Sequence, residues 1–198
     1  FYEDGQPVQQ NTKRPVQLNL WYPTDDLNQN TTLKSYARTL VTAERSMDFS
    51  PEVDEAILKS LVDFGFSNDY LNQLTNAQLD AIIKQGQFPL IIYIPGLSGD
   101  AIENFRLFEL IASYGYVVLS IPSLGNNSRE MQMSKDEIIT LIDDASFAIN
   151  WTKHKLPVND KLGIIGFSWG SMAALYYAVN PSQNANIVIS LDGSIYSY

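Results

Sequence analysis

A chain of 198 residues, 45% of them hydrophobic, is long enough to bury one core as a single domain, and its composition excludes disorder, collagen and coiled coil. The formal net charge of −9, with no run of Lys and Arg, argues against a nucleic-acid partner. With no cysteine and one histidine, His154, there are too few ligands for a zinc, iron–sulfur or haem site, so neither cofactor nor metal is expected.

No apolar run approaches the roughly 18 residues of a membrane-spanning helix; "FPLIIYIPG", Phe88 to Gly96, is strand-sized. The first residue is Phe1 and no signal peptide is visible, so a mature or trimmed product is expected. Absent cysteine suits the cytosol as well as the exterior, and the sequence leans toward an extracellular or periplasmic protein.

Near the start, "RPVQLNLWY" alternates, with Val16, Leu18, Leu20 and Tyr22 on one side, which predicts a strand over 14–22 with one buried face. Val53, Ile57, Leu61 and Phe64 recur at helical spacing, predicting a helix over 52–64. Thr75 with Gln78 has the form of a capping box and predicts a second helix through Lys84. Residues 50–86 are thus expected to form a helical insertion. It either borders a site entrance, offering apolar surface to an acyl or lipid substrate, or caps the sheet's edge.

Beyond it, short runs apolar on both faces alternate with amphipathic helices: "PLIIYI" (89–94), "YVVLSI" (116–121), "LGIIGF" (162–167) and "NIVISL" (186–191). Strands covered on both faces and joined by helical crossovers predict an α/β fold with a mostly parallel sheet. Ser134 and Glu137 form a further capping box, opening a helix with Ile138, Leu141, Ile142, Ala145 and Ile149 on one face.

Between "LGIIGF" and the helix-forming "SMAALYYAV" sits Gly166-Phe167-Ser168-Trp169-Gly170. A Gly-x-Ser-x-Gly run between strand and helix is the setting of a nucleophile elbow, in which side chains at Gly166 and Gly170 would collide with neighbouring backbone. The helix N-terminus after Ser168 would favour developing negative charge. A plain strand-to-helix turn without chemistry is the other reading. An elbow needs an oxyanion hole, one N–H from the residue after the serine, Trp169, and one from a loop after an earlier strand. "PGLSGD" (95–100) is that loop. It has Gly96 where backbone must approach a substrate and Leu97 as the donor, although the same residues also suit a plain Gly-Pro turn.

These segments resemble the α/β-hydrolase fold, and more narrowly the plasma-type platelet-activating factor acetylhydrolases and their bacterial, dienelactone-hydrolase-like relatives. The likeness rests on "RPVQLNLWYP", "FPLIIYIPGLSG", "ASYGYVVLSIPS", "GIIGFSWGSMAAL" and "VISLDGS". It implies a serine hydrolase of carboxylic esters, short-chain or phospholipid-like, with oxyanion donors at Leu97 and Trp169 and the catalytic acid at Asp192 in "SLDG". Such a family usually has His where Pro95 and Phe167 stand and Gly where Ser171 stands. Independently, Asp192 follows a predicted parallel strand, the end at which sites of open α/β sheets collect, though a solvated turn Asp fits "LDGS" equally well.

A general base is missing from this set. His154 ends the helix before strand 162–167, so it should lie near that strand's start, roughly 20 Å from Ser168 at about 3.3 Å per residue. In the resembled family the order is Ser, Asp, His, so the base is expected beyond Tyr198, in a C-terminal remainder of the protein that completes the site. A hydrolase-fold binding or regulatory protein, and an acyltransferase or peptidase using the same serine, remain open alternatives.

Overall fold

The structure, a computed structural model, describes residues 15–26, 28, 31–40, 50–126, 129–180 and 185–193, together with the backbone of 2–3 and 6–7. In chain order the elements are β1 (Tyr2–Glu3), β2 (Gln6–Pro7), β3 (Asn19–Trp21), α1 (Leu33–Ala37), α2 (Pro51–Phe64) and α3 (Asn68–Leu71). They continue with β4 (Phe88–Ile94), α4 (Phe105–Ser113), β5 (Val117–Ser120), α5 (Lys135–Lys155), β6 (Val158–Phe167), α6 (Trp169–Val179) and β7 (Ile187–Leu191). β1 and β2 pair only with each other; the main sheet has the order β3-β5-β4-β6-β7. β5, β4, β6 and β7 run parallel and β3 joins antiparallel, which gives the expected mostly parallel sheet.

The four apolar runs become β4, β5, β6 and β7; in the first three alternate residues find cover on opposite faces, while β7 at the edge leaves Ile187 and Ile189 exposed. Leu90, Ile92 and Ile94 of β4 join Val117 and Leu119 of β5, Leu162 and Ile164 of β6, and the apolar faces of α5 and α6 in one buried cluster. Tyr93, Val118 and Ile165 turn the other way and meet Trp21 and Phe108 beneath α4. α5 starts where predicted, with the Ser134 hydroxyl accepting the Glu137 N–H. The Glu137 carboxylate reaches the Asn126 N–H, and so serves the preceding loop.

Two predicted elements differ. The strand over 14–22 is shorter, since its partner β5 has only four residues and pairs from Asn19↔Ser120 to Trp21↔Val118; Arg14 lies outside the described residues. Val16, Leu18, Leu20 and Tyr22 still pack together against the larger cluster. The helix over 52–64 forms, but the one over 75–84 does not. Thr75 Oγ1 donates to the Thr31 carbonyl and accepts the Ala77 N–H, a turn two residues long rather than a cap. Asp80 stands at φ +53°, outside any right-handed helix. Backbone groups of the segment serve the loop after β3 instead: Tyr22 Oη donates to the Ala81 carbonyl at 2.6 Å, Thr24 Oγ1 to that of Ile82 at 2.8 Å, and the Lys84 N–H to that of Pro23 at 2.8 Å. These bonds fasten the insertion to the β3 edge of the sheet. Among the described residues no helix is long and apolar enough to cross a membrane.

α6 descends on the sheet so closely that a Cβ at Gly170 would overlap the carbonyl oxygens of Ile94 and Pro95. Both obstacles are backbone at the end of the central strand, so neither can swing aside. At Gly163 the nearest atom to a Cβ would be Ile187 Cγ2, at 3.1 Å, on an exposed side chain that can turn. Gly170→Ala is therefore expected to cost about 3 kcal/mol, the upper range for overpacking, and Gly163→Ala clearly less. Urea denaturation checks this, and equal midpoints for the two variants would contradict the close approach.

Candidate active site

β6 ends at Phe167 and α6 begins at Trp169, so Ser168 alone makes the turn. It does so at φ +47° and ψ −118°, a conformation that an L-residue adopts at a cost of roughly 1–3 kcal/mol. The turn is held from both sides. The Ser168 N–H donates to the Leu191 carbonyl of β7 at 2.9 Å, and Ser171 Oγ donates to the Gly166 carbonyl at 2.8 Å. A Cβ at Gly166 would come within 2.5 Å of the Gly170 carbonyl oxygen, so helix and strand can fold back this tightly only with glycine at both flanks. Ser168 occupies the N-cap position of α6 without a side-chain cap hydrogen bond. The positive end of the α6 dipole faces the same end of the sheet.

Strand register brings two more loops to this point. Ile94 of β4 lies opposite Gly166 of β6, so Pro95–Asp100 leaves the sheet beside Phe167 and Ser168. A Cβ on Gly96 would meet Phe167 Cδ1 at 3.4 Å and Ser168 Cβ at 3.5 Å, so the loop backbone rests against the serine. Leu97 is half-buried on the larger core cluster, and Trp169 is buried at the start of α6. On the other flank Phe167 pairs with Leu191, which puts Asp192 at the register position of Ser168. Asp192 is exposed and stands at φ +48°.

Ser168, Trp169, Gly96, Leu97 and Asp192 thus gather at one sheet end. His154 does not. It is exposed on the last turn of α5, with Nδ1 2.7 Å from the Asn150 carbonyl oxygen, and β6 runs its full ten residues before reaching Ser168. At about 3.3 Å per residue the two are on the order of 30 Å apart.

The sequence does not advertise what braces the Pro95–Asp100 loop. The Gly99 N–H closes a turn onto the Gly96 carbonyl at 2.9 Å, with Ser98 at φ +53°. On its outer side, Ser123 Oγ donates to the Pro95 carbonyl at 2.9 Å and the Ser123 N–H to that of Gly99 at 2.9 Å. Ser98 Oγ accepts the Met131 N–H at 2.9 Å, and Arg129 pairs with Asp100 at 3.3 Å. On its inner side, Glu103 Oε1 accepts from buried Tyr93 Oη at 2.6 Å, and Asn104 Nδ2 donates to the same Tyr93 oxygen at 2.5 Å. Burial pushes the Glu103 carboxyl up and Asp100 adds to the rise, while the Tyr93 hydroxyl and the Gly96 N–H pull it back. One signal was available: a polar Ser123 three residues past the strand 117–120, where a fully buried hydroxyl needs a partner.

Among solved structures, a ferulic acid esterase from Streptomyces cinnamoneus aligns with 82% of this chain and 47% of its own length, at a TM-score of 0.51 and 19% identity. An esterase from Pyrococcus furiosus aligns over 56% of this chain and 44% of its own, at a TM-score of 0.45 and 19% identity. The chain therefore spans about half the length of these structures or less. At such identities the likeness speaks for the fold, which is that of the α/β-hydrolases. No curated protein matches the sequence. The match to a family is longer, covering residues 15–198, from the segment before β3 to Tyr198, and on it the chain belongs to the X-Pro dipeptidyl-peptidase (S15 family).

Proposed function

We propose that this chain carries the nucleophile, oxyanion hole and acid of a serine hydrolase that cleaves carboxylic esters by acyl transfer. The observation that carries the proposal is the backbone of Ser168: a serine held at φ +47° between two glycines whose Cβ atoms would strike backbone. A turn without chemistry has no need of that strain, since any residue at a less crowded bend would serve.

In this reading Ser168 Oγ attacks the acyl carbonyl as a base takes its proton, and the N–H groups of Leu97 and Trp169 receive the charge on the carbonyl oxygen. The C–O bond to the leaving alcohol breaks as the base returns the proton. Water then adds to the acyl-serine and releases the carboxylic acid. Asp192 orients the base from the adjacent strand end, and the base is a histidine supplied from outside the 198 residues, because His154 stands at the far end of β6. The likeness to platelet-activating factor acetylhydrolases supports short acyl chains. A second reading, hydrolysis of the bond after an X-Pro dipeptide by the same serine, has the family match in its favour. The bonds that fasten residues 74–84 to the β3 edge support an edge cap over a lid.

In the native protein a fluorophosphonate probe is expected to label Ser168, and Ser168→Ala to lower p-nitrophenyl acetate turnover by about 10⁴ to 10⁶. An adduct on Ser98 or Ser171, or none at all, would refute the nucleophile and favour a binding protein. Comparing p-nitrophenyl acetate with an Ala-Pro anilide separates the readings, and a higher kcat/KM for the anilide would select the peptidase.

Asp192→Asn is expected to lower turnover by about 10⁴ while leaving the fold intact by circular dichroism. A near wild-type rate would move the acid's role to another carboxylate. His154→Ala should leave kcat within about twofold, since its ring is bonded within α5; a loss comparable to that of Ser168→Ala would make it the base after all.

A further inference from the structure

The Pro95–Asp100 loop bears the first oxyanion donor, yet it is only a four-residue turn with a strained Ser98 and a glycine at each end. Such a turn does not keep an N–H aimed to within a few tenths of an ångström unaided; something behind it must fix its height. The outer contacts, from Ser123, Met131 and Arg129, come from a loop that is itself irregular. The inner contact is of another kind. Tyr93 is fully buried on the central strand, two residues before Pro95, and its hydroxyl cannot move without opening the core under α4. Glu103 reaches back to it from beyond the loop, its other oxygen pressed so close beneath Gly99 that a Cβ there would come within 2.8 Å.

One donor is bonded to this carboxylate, the Tyr93 hydroxyl at 2.6 Å, and the other carboxylate oxygen lies against Gly99. Tyr93 already accepts from Asn104, so its own proton must be given away, and Glu103 is the acceptor. Asp100 is the remaining charged neighbour, and it is engaged by Arg129.

We infer that Glu103 is a positioning residue, locking the oxyanion loop to buried Tyr93 at the height where the Leu97 N–H meets the charge developing next to Ser168. The inference rests on the serine-hydrolase reading above. It has a distinct kinetic signature, because the loop N–H acts on charge that exists only in the transition state. Loosening the loop lowers kcat and leaves KM in place.

The test uses the native protein with Glu103→Ala, Glu103→Gln, Tyr93→Phe and Ser168→Ala. For p-nitrophenyl acetate, Glu103→Ala should lower kcat about 30-fold with KM within about twofold, and Glu103→Gln, which keeps one acceptor, should fall between it and wild type. In hydrogen exchange, amides 96–99 should exchange about tenfold faster in Glu103→Ala and Tyr93→Phe while those of 162–174 stay unchanged. Unchanged exchange at 96–99 overturns the inference, as does a kcat within about twofold of wild type or a loss carried by KM. Turnover that survives Ser168→Ala overturns the hydrolase reading instead, and the exchange result then still decides whether Glu103 holds the loop.

Discussion

Everything at this sheet end depends on how near α6 comes to the backbone of β4 and β6. The helix starts one residue after its strand, and the space between them admits no side chain at Gly166 or Gly170. Given that crowding, Ser168 has no conformation available but a left-handed one, and its backbone strain is the cost of a serine thrust out of the sheet. The same crowding sets the neighbours. Gly96 lies against Ser168 because the end of β4 abuts the start of α6, and Leu191 takes the Ser168 N–H because β7 fills the other side. Three of the four non-glycine residues with positive φ among the described residues, Ser98, Ser168 and Asp192, stand at this end. The closely packed strands beneath hold this strain in one place.

Much of this was legible in the residues, and for a definite reason. The apolar runs at 89–94, 117–120 and 162–167 are largely buried on both faces, so each must be a covered strand, whereas 187–191 at the sheet edge leaves Ile187 and Ile189 exposed. Strand-turn-helix spacing then localises the tight turn to Ser168. Asp192 and Gly96 were read as lying just past predicted strands, and the strand register sets both beside the end of β6. What escaped was carried by side-chain contacts between segments distant in sequence. The Thr75–Gln78 pattern is a sound local cap, but Thr31, Tyr22, Thr24 and Glu109 compete for the same hydroxyl and backbone groups from 33 to 59 residues away, and they win. The tie from Glu103 to Tyr93 is hidden in the same way: a tyrosine in an apolar strand reads as core, and nothing local shows that its hydroxyl needs an acceptor.

Glu109, a buried carboxylate, makes an instructive contrast with the exposed Glu103. Glu109 on α4 accepts from Tyr36 Oη at 2.7 Å and from the Asn76 N–H at 3.0 Å, and Tyr36 in turn accepts from Trp21 Nε1 at 2.8 Å. Burial and the Glu109 carboxylate hold the Tyr36 hydroxyl well above its ordinary range. This chain of bonds joins β3, α1, α4 and the insertion at the edge remote from Ser168. Glu109 follows the rule that a buried carboxylate must be met by donors at each oxygen, whereas Glu103 is met at one. Near Ser168 the donor is Tyr93 of the central strand; at the β3 edge the donors belong to segments that must be sewn onto the sheet.

The order of the strands also governs the order in which the sheet can form as the chain leaves the ribosome. β3 is made early, but its partner β5 follows about a hundred residues later, and contacts so far apart in sequence form slowly. In the interval the segment 81–84 emerges first, and it offers the loop just after β3 two carbonyls and an N–H. These bonds give the region an earlier partner than its own sheet. The stretch predicted as a helix thus stands nearer to β3 along the chain than β5 does, and its bonds close the shorter loop.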